Sequence, residues 1–443
     1  MASPLNALQL EASNACKIQV ISCCITAMLN KILRIFLHMG MPARHKSLRV
    51  LFTVCVLLQL LPGCTLIKTE TLPEPALERV RFSSNIVFSD DLDYDGITVG
   101  ILQSLAYLKK IPPAREFRFG RDVYTAEHMI RTLTHFFEFI ETKPQQQQLK
   151  KFIRTYYRIY RSIGAEETGK VLFTGYYEPT LQGSLNKSDD FRYPLYARPK
   201  DLLTIDLSLF SPRFKNEKIT GRVHGQTVVP YYNRKEIEEN GLPEDIAEPI
   251  LWVNDLIDLF FLHIQGSGKV SLDSGETIQV HYHTSNGRPY RSIGKFLIDE
   301  GKIERTRMSM QAIRLYLKEN PSELEAILNY NPSYVFFKIE TDGPLGHLEV
   351  KLTPGRSLAL DRRIFPPAAL AFMETKLPLV SGDGQIQKWI DCTRFVLNQD
   401  TGGAIRGPGR ADLFWGDGPY AEIAAGFMQH SGNLYFFVLK PDE

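Results

Sequence analysis

The chain has 443 residues, 44% hydrophobic and 23% charged, an ordinary globular composition with room for two or three domains. Its formal charge of +2 hides an asymmetry, because residues 1–63 carry Lys17, Lys31, Arg34, Arg44, Lys46 and Arg49 against Glu11 alone. The remainder is slightly acidic, which excludes nucleic acid as a partner, since such binding needs clustered positive charge.

Taken in chain order, residues 1–40 fit poorly in front of the segment that begins at Met41. They hold Cys16, Cys23, Cys24 and an apolar stretch from Ile25 to Leu37 interrupted by Lys31 and Arg34. The expected translation start is Met39 or Met41 rather than Met1, the alternative being an extra membrane helix. Met41 to Arg49 is a basic segment and Val50 to Leu61 a twelve-residue apolar run. As a helix that run spans about 18 Å, short of a bilayer core of roughly 30 Å. Followed by Leu61-Pro-Gly-Cys64, it reads as a signal peptide whose end resembles a bacterial lipobox. Cys64 is then the lipidation site and the mature N-terminus. The competing reading is a plain secretory signal with an incidental cysteine. After cleavage Cys64 and Cys392 remain, so a lipidated Cys64 leaves no intrachain disulfide. Cys392, on an apolar run, is expected to be a buried small hydrophobe.

Lys68 to Glu78, with Pro73 and Pro75, reads as a tether. Helical spacing comes next over Thr98–Lys110, after Thr125 (Met129, Ile130, Leu133, Phe136, Phe137, Ile140) and over Lys151–Ser162. The aromatic stripes are expected to be core, and Pro144 to Gln148 a polar linker. From Val171 the period shortens. Strands are predicted at Val171–Tyr177 and Leu259–Ile264, a turn at Gly266–Gly268, then strands at Val270–Leu272 and Ile278–Tyr282. Met310–Leu317 and Glu323–Leu328 read as helices. Beyond Pro332 come short strands: Tyr334–Lys338, Leu348–Leu352, Ser357–Leu360, Ile386–Thr393, Arg394–Leu397 and Leu434–Leu439. Such punctuation predicts a small barrel. The fold class is therefore mainly β with a helical N-terminal part.

No phosphate loop or dinucleotide fingerprint is present. His281-Tyr-His283 places two rings on one strand face without a third ligand at metal spacing. Ser267, in Gln265-Gly-Ser-Gly268, lacks the flanking pattern of a nucleophile elbow. Carboxylates are left. Asp400 and Asp412 lie twelve residues apart on Gln399 to Gly416, a segment with five glycines that ends on Phe414-Trp415-Gly416. Glycines allow close backbone approach to a ligand, and an aromatic pair suits a sugar ring. The bland reading is a glycine-rich turn with solvated aspartates. Asp417 reads as a turn residue and Glu178 as a carboxylate at a groove rim.

Seven ordered segments carry a resemblance: Phe173–Tyr177, Gln265–Gly268, Tyr290–Lys295, Met308–Arg314, Asn331–Phe337, Asp361-Arg362 with Pro366-Pro367, and Gln399–Gly416. Together, over roughly Val171 to Lys440, they resemble the membrane-bound lytic murein transglycosylase A family of Gram-negative bacteria. The last resembles the module named for three aspartates, here Asp361, Asp400 and Asp412. The resemblance implies a double-psi β-barrel, a second β domain inserted within it, and a substrate groove between them. Its domain boundaries fall at 1–63 (extension and signal), 64–97 (lipidated end and tether), 98–178 (helical part of the first domain), 179–338 (insert) and 339–443 (barrel module).

It further implies cleavage of the β-1,4 bond between N-acetylmuramic acid and N-acetylglucosamine without water, leaving 1,6-anhydromuramyl ends. Asp412 corresponds to the catalytic acid, with Asp400 and Asp361 supporting. Tyr176, Tyr177, Gln265, Gly266, Ser267, Arg291, Ser292, Gly403, Ala404 and Trp415 are the expected substrate-binding residues. An aspartic acid is mostly ionised at neutral pH unless burial or a neighbouring carboxylate (Asp400 or Asp417) raises its pKa. Arg410-Ala411 before the aspartate, Trp415, and Glu178 after the tyrosine pair depart from the family pattern. No metal or cofactor is implied. The expected partners are peptidoglycan glycan strands, the outer membrane through the lipid, and cell-wall synthases or division proteins. The expected location is the outer membrane, facing the periplasm. Two rivals stand beside this reading: a muramidase needing a second carboxylate, and a non-catalytic murein-binding lipoprotein.

Overall fold

The computed structural model describes residues 75–81, 86–215 and 217–441. The predicted signal sequence, Cys64 and most of the tether lie outside the described residues. The tether's last residues join a strand, β1 (Leu77–Val80). Next come α1 (Ile97–Leu108), the hairpin β2 (Glu116–Phe119) and β3 (Asp122–Thr125), then α2 (Ala126–Ile140), α3 (Gln146–Tyr156), β4 (Tyr157–Ser162) and β5 (Val171–Glu178). Helix α2 starts where expected, with the Thr125 hydroxyl accepting from the His128 amide at 3.2 Å. Its stripe of Met129, Leu133, Phe136 and Ile140 is buried.

Two expectations fail nearby. The glutamine tract is the start of a helix: Gln145 caps α3, and the Gln148 side chain accepts from the Gln145 amide at 2.8 Å. The third predicted helix also stops at Tyr156. From Tyr157 the backbone is extended, because β1 on one side and the chain's last strand on the other satisfy its hydrogen bonds.

The middle of the chain adds β6 (Thr180–Ser184), β7 (Tyr193–Tyr196), β8 (Leu203–Asp206), β9 (Lys218–His224), β10 (Thr227–Pro230), α4 (Arg234–Asn240) and β11 (Pro249–Val253). After these are α5 (Leu256–Gln265), β12 (Ser267–Leu272), β13 (Thr277–Ser285), α6 (Ile293–Asp299), α7 (Met310–Glu319), α8 (Leu324–Asn329) and β14 (Val335–Glu340). Six of these strands form one sheet, ordered β14-β13-β12-β6-β11-β7, and β10-β9-β8 form a small second one. Leu181, Leu195, Leu251, Val270, Val280 and Phe337 fill the larger sheet's core.

Leu259–Ile264, predicted as a strand, belongs to helix α5. Asp255 accepts from the amides of Ile257 (2.7 Å) and Asp258 (3.0 Å), and Gly266 closes the helix at φ +85°. Buried on nearly every side, this helix shows no amphipathic period, so its apolar run imitates a strand. The predicted turn at Gly266–Gly268 is in fact the cap followed directly by β12.

The last third comprises β15 (Ser357–Ala359), β16 (Leu370–Val380), β17 (Ile386–Asp400), β18 (Arg410–Asp417), α9 (Gly418–Phe427) and β19 (Gln429–Leu439). Leu348–Leu352 is a turn rather than a strand, with one bridge between Leu345 and Lys351. The two strands predicted across 386–397 are one of fifteen residues. The strands run β19-β16-β17-β15-β18-β5, and β5 pairs back onto the first half of β19 (Gln429↔Thr174), closing a six-stranded ring. The second half of β19 carries β4 and β1 outward. Pairs β5/β18 and β15/β17 are parallel and the others in the ring antiparallel. Helices α1 and α2 pack outside it, and Arg356, fully buried, clamps Asp90 through two bonds of 2.6 and 2.8 Å.

Candidate active site

Asp412 lies in β18 and Asp400 ends β17, so the glycine-rich segment contains two strands joined by the loop 401–409. In the parallel pairing of β18 with β5, Asp412 stands opposite Thr174. The Thr174 hydroxyl donates to Asp412 Oδ1 at 2.7 Å, and the Arg410 guanidinium donates to the Thr174 hydroxyl at 3.3 Å. Asp412 Oδ2 has no hydrogen bond among the described residues. Burial raises the Asp412 pKa to about 6, the Asp400 charge adding to the rise while Thr174 and Arg410 oppose it. Such a group reaches both protonation states near neutral pH.

Asp400 is held on both oxygens. The Tyr176 hydroxyl donates to Oδ2 and the His347 amide to Oδ1, each at 2.8 Å. Its pKa is raised by burial against the pull of these bonds. Asp361 is the opposite case. It accepts from Arg363 at 2.9 and 2.6 Å and from the Gly407 amide at 2.9 Å, and although burial pushes upward these bonds hold it down at about 2. It stays ionised and pins the loop before β18.

The other predicted site residues divide. Tyr176 reaches Asp400, and Gln265 Oε1 accepts from the Tyr177 amide at 3.1 Å, tying α5 to β5. Gly266 caps α5, Ser267 pairs with His281 in the sheet, and the Ser292 hydroxyl caps α6 through the Lys295 amide. Arg291 is exposed, its guanidinium 5.8 Å from the Tyr330 ring. Gly403 and Ala404 are exposed on the loop.

Trp415 departs from expectation. Trp415 and Phe414 are 8% and 1% exposed, and Trp415 packs beneath Gly175, so this pair is core and offers no ring face to a sugar. Glu178 is likewise no rim group, being 2% exposed. Asp417 begins α9 and closely pairs with Lys269. His281 and His283 do not share a face, because a bulge after Tyr282 buries the first ring and exposes the second. Among the described residues no group of three or more His, Cys, Asp or Glu could hold a metal ion. Cys392 is buried.

Sequence reasoning missed Thr174, Arg410 and the His347 amide as site groups, and also Tyr290, which feels the charges of Arg410 and Asp412. Thr174 and Tyr290 sat inside quoted motifs, so position within a motif was their signal. The amide of His347 leaves no mark in a sequence.

A poised carboxyl near a locked one, on a barrel joined to a second β domain, defines a site for acid–base chemistry. Comparison with known proteins narrows this. Residues 172–338 match the MltA specific insert domain and 356–438 the 3D domain. The chain is 33% identical over 281 residues to membrane-bound lytic murein transglycosylase A of Escherichia coli K12, covering 63% of this chain and 68% of that one. It also resembles a crystal structure of a membrane-bound lytic murein transglycosylase from Agrobacterium tumefaciens (TM-score 0.65, 28% identity, 82% of this chain and 98% of that one) and E. coli MltA with bound chitohexaose (0.62, 25%, 83% and 96%). The chain belongs to the membrane-bound lytic murein transglycosylase A family. No helix among the described residues is long and apolar enough to cross a membrane.

Proposed function

We propose that this protein cleaves murein glycan strands as a lytic transglycosylase, with Asp412 as the single acid and base. The observation that carries the reading is the Asp412 carboxyl: one oxygen held by Thr174, the other unbonded, and a pKa near 6. Protonated Asp412 donates to the oxygen leaving C1 of N-acetylmuramic acid as the C1–O bond breaks. The C6 hydroxyl of the same sugar then attacks C1 and returns its proton to Asp412. One C–O bond breaks, one forms, and no water is consumed. An internal hydroxyl also has the proximity advantage over solvent. Asp400, locked by Tyr176 and His347, shapes the field around Asp412 and takes no part in proton transfer. This favours the transglycosylase over the muramidase, which needs a second working carboxylate.

The substrate groove of this reading runs between the barrel and the insert, 179–338, and the ring of six strands is a double-psi barrel. The parallel β5/β18 and β15/β17 pairs support that assignment. Attachment is through lipid on Cys64, to the outer membrane facing the periplasm, in keeping with the membrane-bound relatives. Fractionation of cells expressing Cys64→Ala should release the protein from membranes, and retention there would overturn the anchor.

Digestion of purified murein by wild type and Asp412→Asn, read by mass spectrometry, tests the reaction. Wild type should release muropeptides one water lighter than hydrolytic products. The variant should lose on the order of 10³ in rate. Reducing ends would establish a hydrolase instead, and bound but uncut murein a non-catalytic lipoprotein.

A further inference from the structure

Arg410, Asp412 and Thr174 meet on one face of the barrel wall. Two residues apart on β18, Arg410 and Asp412 point the same way, and the parallel pairing sets Leu172 beside Arg410 and Thr174 beside Asp412. The backbone is fixed at this point. The Leu172 amide donates to the Gly409 carbonyl at 2.8 Å, and a Cβ on Gly409 would lie 2.8 Å from the Ala165 nitrogen. From there the Arg410 guanidinium reaches the Thr174 hydroxyl at 3.3 Å, its side chain's one hydrogen-bond partner among the described residues. Arg410 Nε is buried without a partner, and among the described residues Arg410 makes no ion pair within 4.0 Å. What it touches is the group that holds the acid.

The direction of these bonds follows from their chemistry. A guanidinium only donates, whereas a hydroxyl carries one proton and two lone pairs. Arg410 therefore fills a lone pair of Thr174 Oγ1, and the hydroxyl's single proton points to Asp412 Oδ1 at 2.7 Å. A proton on Oδ1 would displace it and leave the Thr174 hydrogen without an acceptor among the described residues, which costs free energy. It would also bring the proton toward a fixed positive charge. Asp412 Oδ2 carries neither penalty.

We propose that Arg410 is a positioning residue of the cleavage reaction, which through Thr174 confines the acid proton of Asp412 to Oδ2, the oxygen left open for the leaving group. This rests on the reading of Asp412 as the acid and base. Oδ2 gives the proton to the leaving oxygen and receives one back from the C6 hydroxyl, so none is stranded on the oxygen turned toward Thr174. The other charged or titratable groups that act on or feel Asp412 are Asp400 on β17, Tyr176 on β5 and Tyr290 ahead of α6. Burial pushes both tyrosines above their usual 10.0, so they stay neutral, and Asp400 is held by Tyr176 and His347 rather than by Arg410.

The test is a double-variant cycle on murein strands with the full-length chain in detergent, reading kcat and KM across pH. Arg410→Met should lower kcat on the acid plateau roughly 5-fold, the worth of one oriented hydrogen bond, with KM unchanged. It should also move the alkaline limb upward, because a positive charge near the carboxylate is gone. Thr174→Val should lower the plateau by as much, and adding Arg410→Met to it should lower the plateau no further while still moving the limb. Plateau losses that multiply in the double variant, a KM that rises while kcat holds, or an unchanged plateau in Arg410→Met each overturn the positioning role. Those results leave the Asp412 reading intact, which falls instead if Asp412→Asn cuts as well as wild type. Should Arg410→Met not fold, Arg410→Gln takes its place. Its amide oxygen competes for the Thr174 proton, so the same plateau loss and non-additivity are expected, and additive losses overturn the proposal there too.

Discussion

Asp412 and Asp400 are the same residue type, near enough for the charge of Asp400 to raise the pKa of Asp412, and their hydrogen bonds set them apart. Tyr176 and the His347 amide occupy both oxygens of Asp400, whereas Thr174 holds one oxygen of Asp412 and leaves the other. The Thr174 hydroxyl favours the ionised form, so Thr174→Val should move the alkaline limb of the pH–rate profile upward by about one unit. Activity should fall as pH rises above about 6 in wild type, because the leaving oxygen needs a protonated Asp412. The same raised pKa bears on stability. Its contribution is full below the ordinary value of 3.8 and is lost as pH rises through about 6. Asp412→Asn should therefore melt higher than wild type at pH 8, by about 1–3 kcal/mol, and no higher at pH 3. Both aspartates were legible in the sequence because glycines and motif order marked them. Of the partners that set them apart, Thr174 and Tyr176 lay in a motif on β5 without showing which aspartate each would hold, and the His347 amide left no mark.

Strand β5 carries more than its share of the site, and its packing shows why Gly175 interrupts it. A Cβ at Gly175 would lie 2.5 Å from Trp415 Nε1 and 2.8 Å from Ala425 Cα. Gly175→Ala should destabilise the fold by about 1–3 kcal/mol and displace Thr174 from Asp412. Thermal melting should show the first effect and a lowered kcat the second. Elements with a clear period, such as α2 and α7, could be read directly. Those buried on every side could not, and α5 passed for a strand. Strand β18 was hidden by the glycines before it, and β16 (Leu370–Val380) went unread because Glu374, Thr375 and Lys376 break its apolar run, although the ring cannot close without it. The aromatic pair Phe414-Trp415 looked like a sugar platform because composition does not reveal which side of a strand meets solvent.

At the scale of the molecule, a buried clamp holds the N-terminal segment to the barrel. Arg356 grips Asp90 and also donates to the carbonyls of Asp95 and Phe395 at 2.7 and 2.8 Å, while Arg394 grips Asp91. Removing one partner leaves the other buried and unpaired, so Arg356→Met should cost about 3–5 kcal/mol in denaturant unfolding. The double variant with Asp90→Leu should lose less than the single. Burial alone would raise the Asp90 pKa, but Arg356 and the Phe395 and Tyr94 amides hold it below 3.8. The clamp's stabilisation is thus present above the ordinary carboxylate range and lost as acid carries pH through that lowered value.

The seam between β5 and β19 has a consequence in time rather than in space. Thr174 must find Gln429, and nearly the whole insert and module are synthesised between them. The ring therefore cannot seal until the last strand exists. Contacts of such long sequence separation make folding slow. An insert that condensed first would shorten the effective loop and lower its closure entropy. Until then the edges of β5 and β19 stay unpaired, open to other chains, and the interval before sealing is when this protein is most exposed to aggregation and proteolysis.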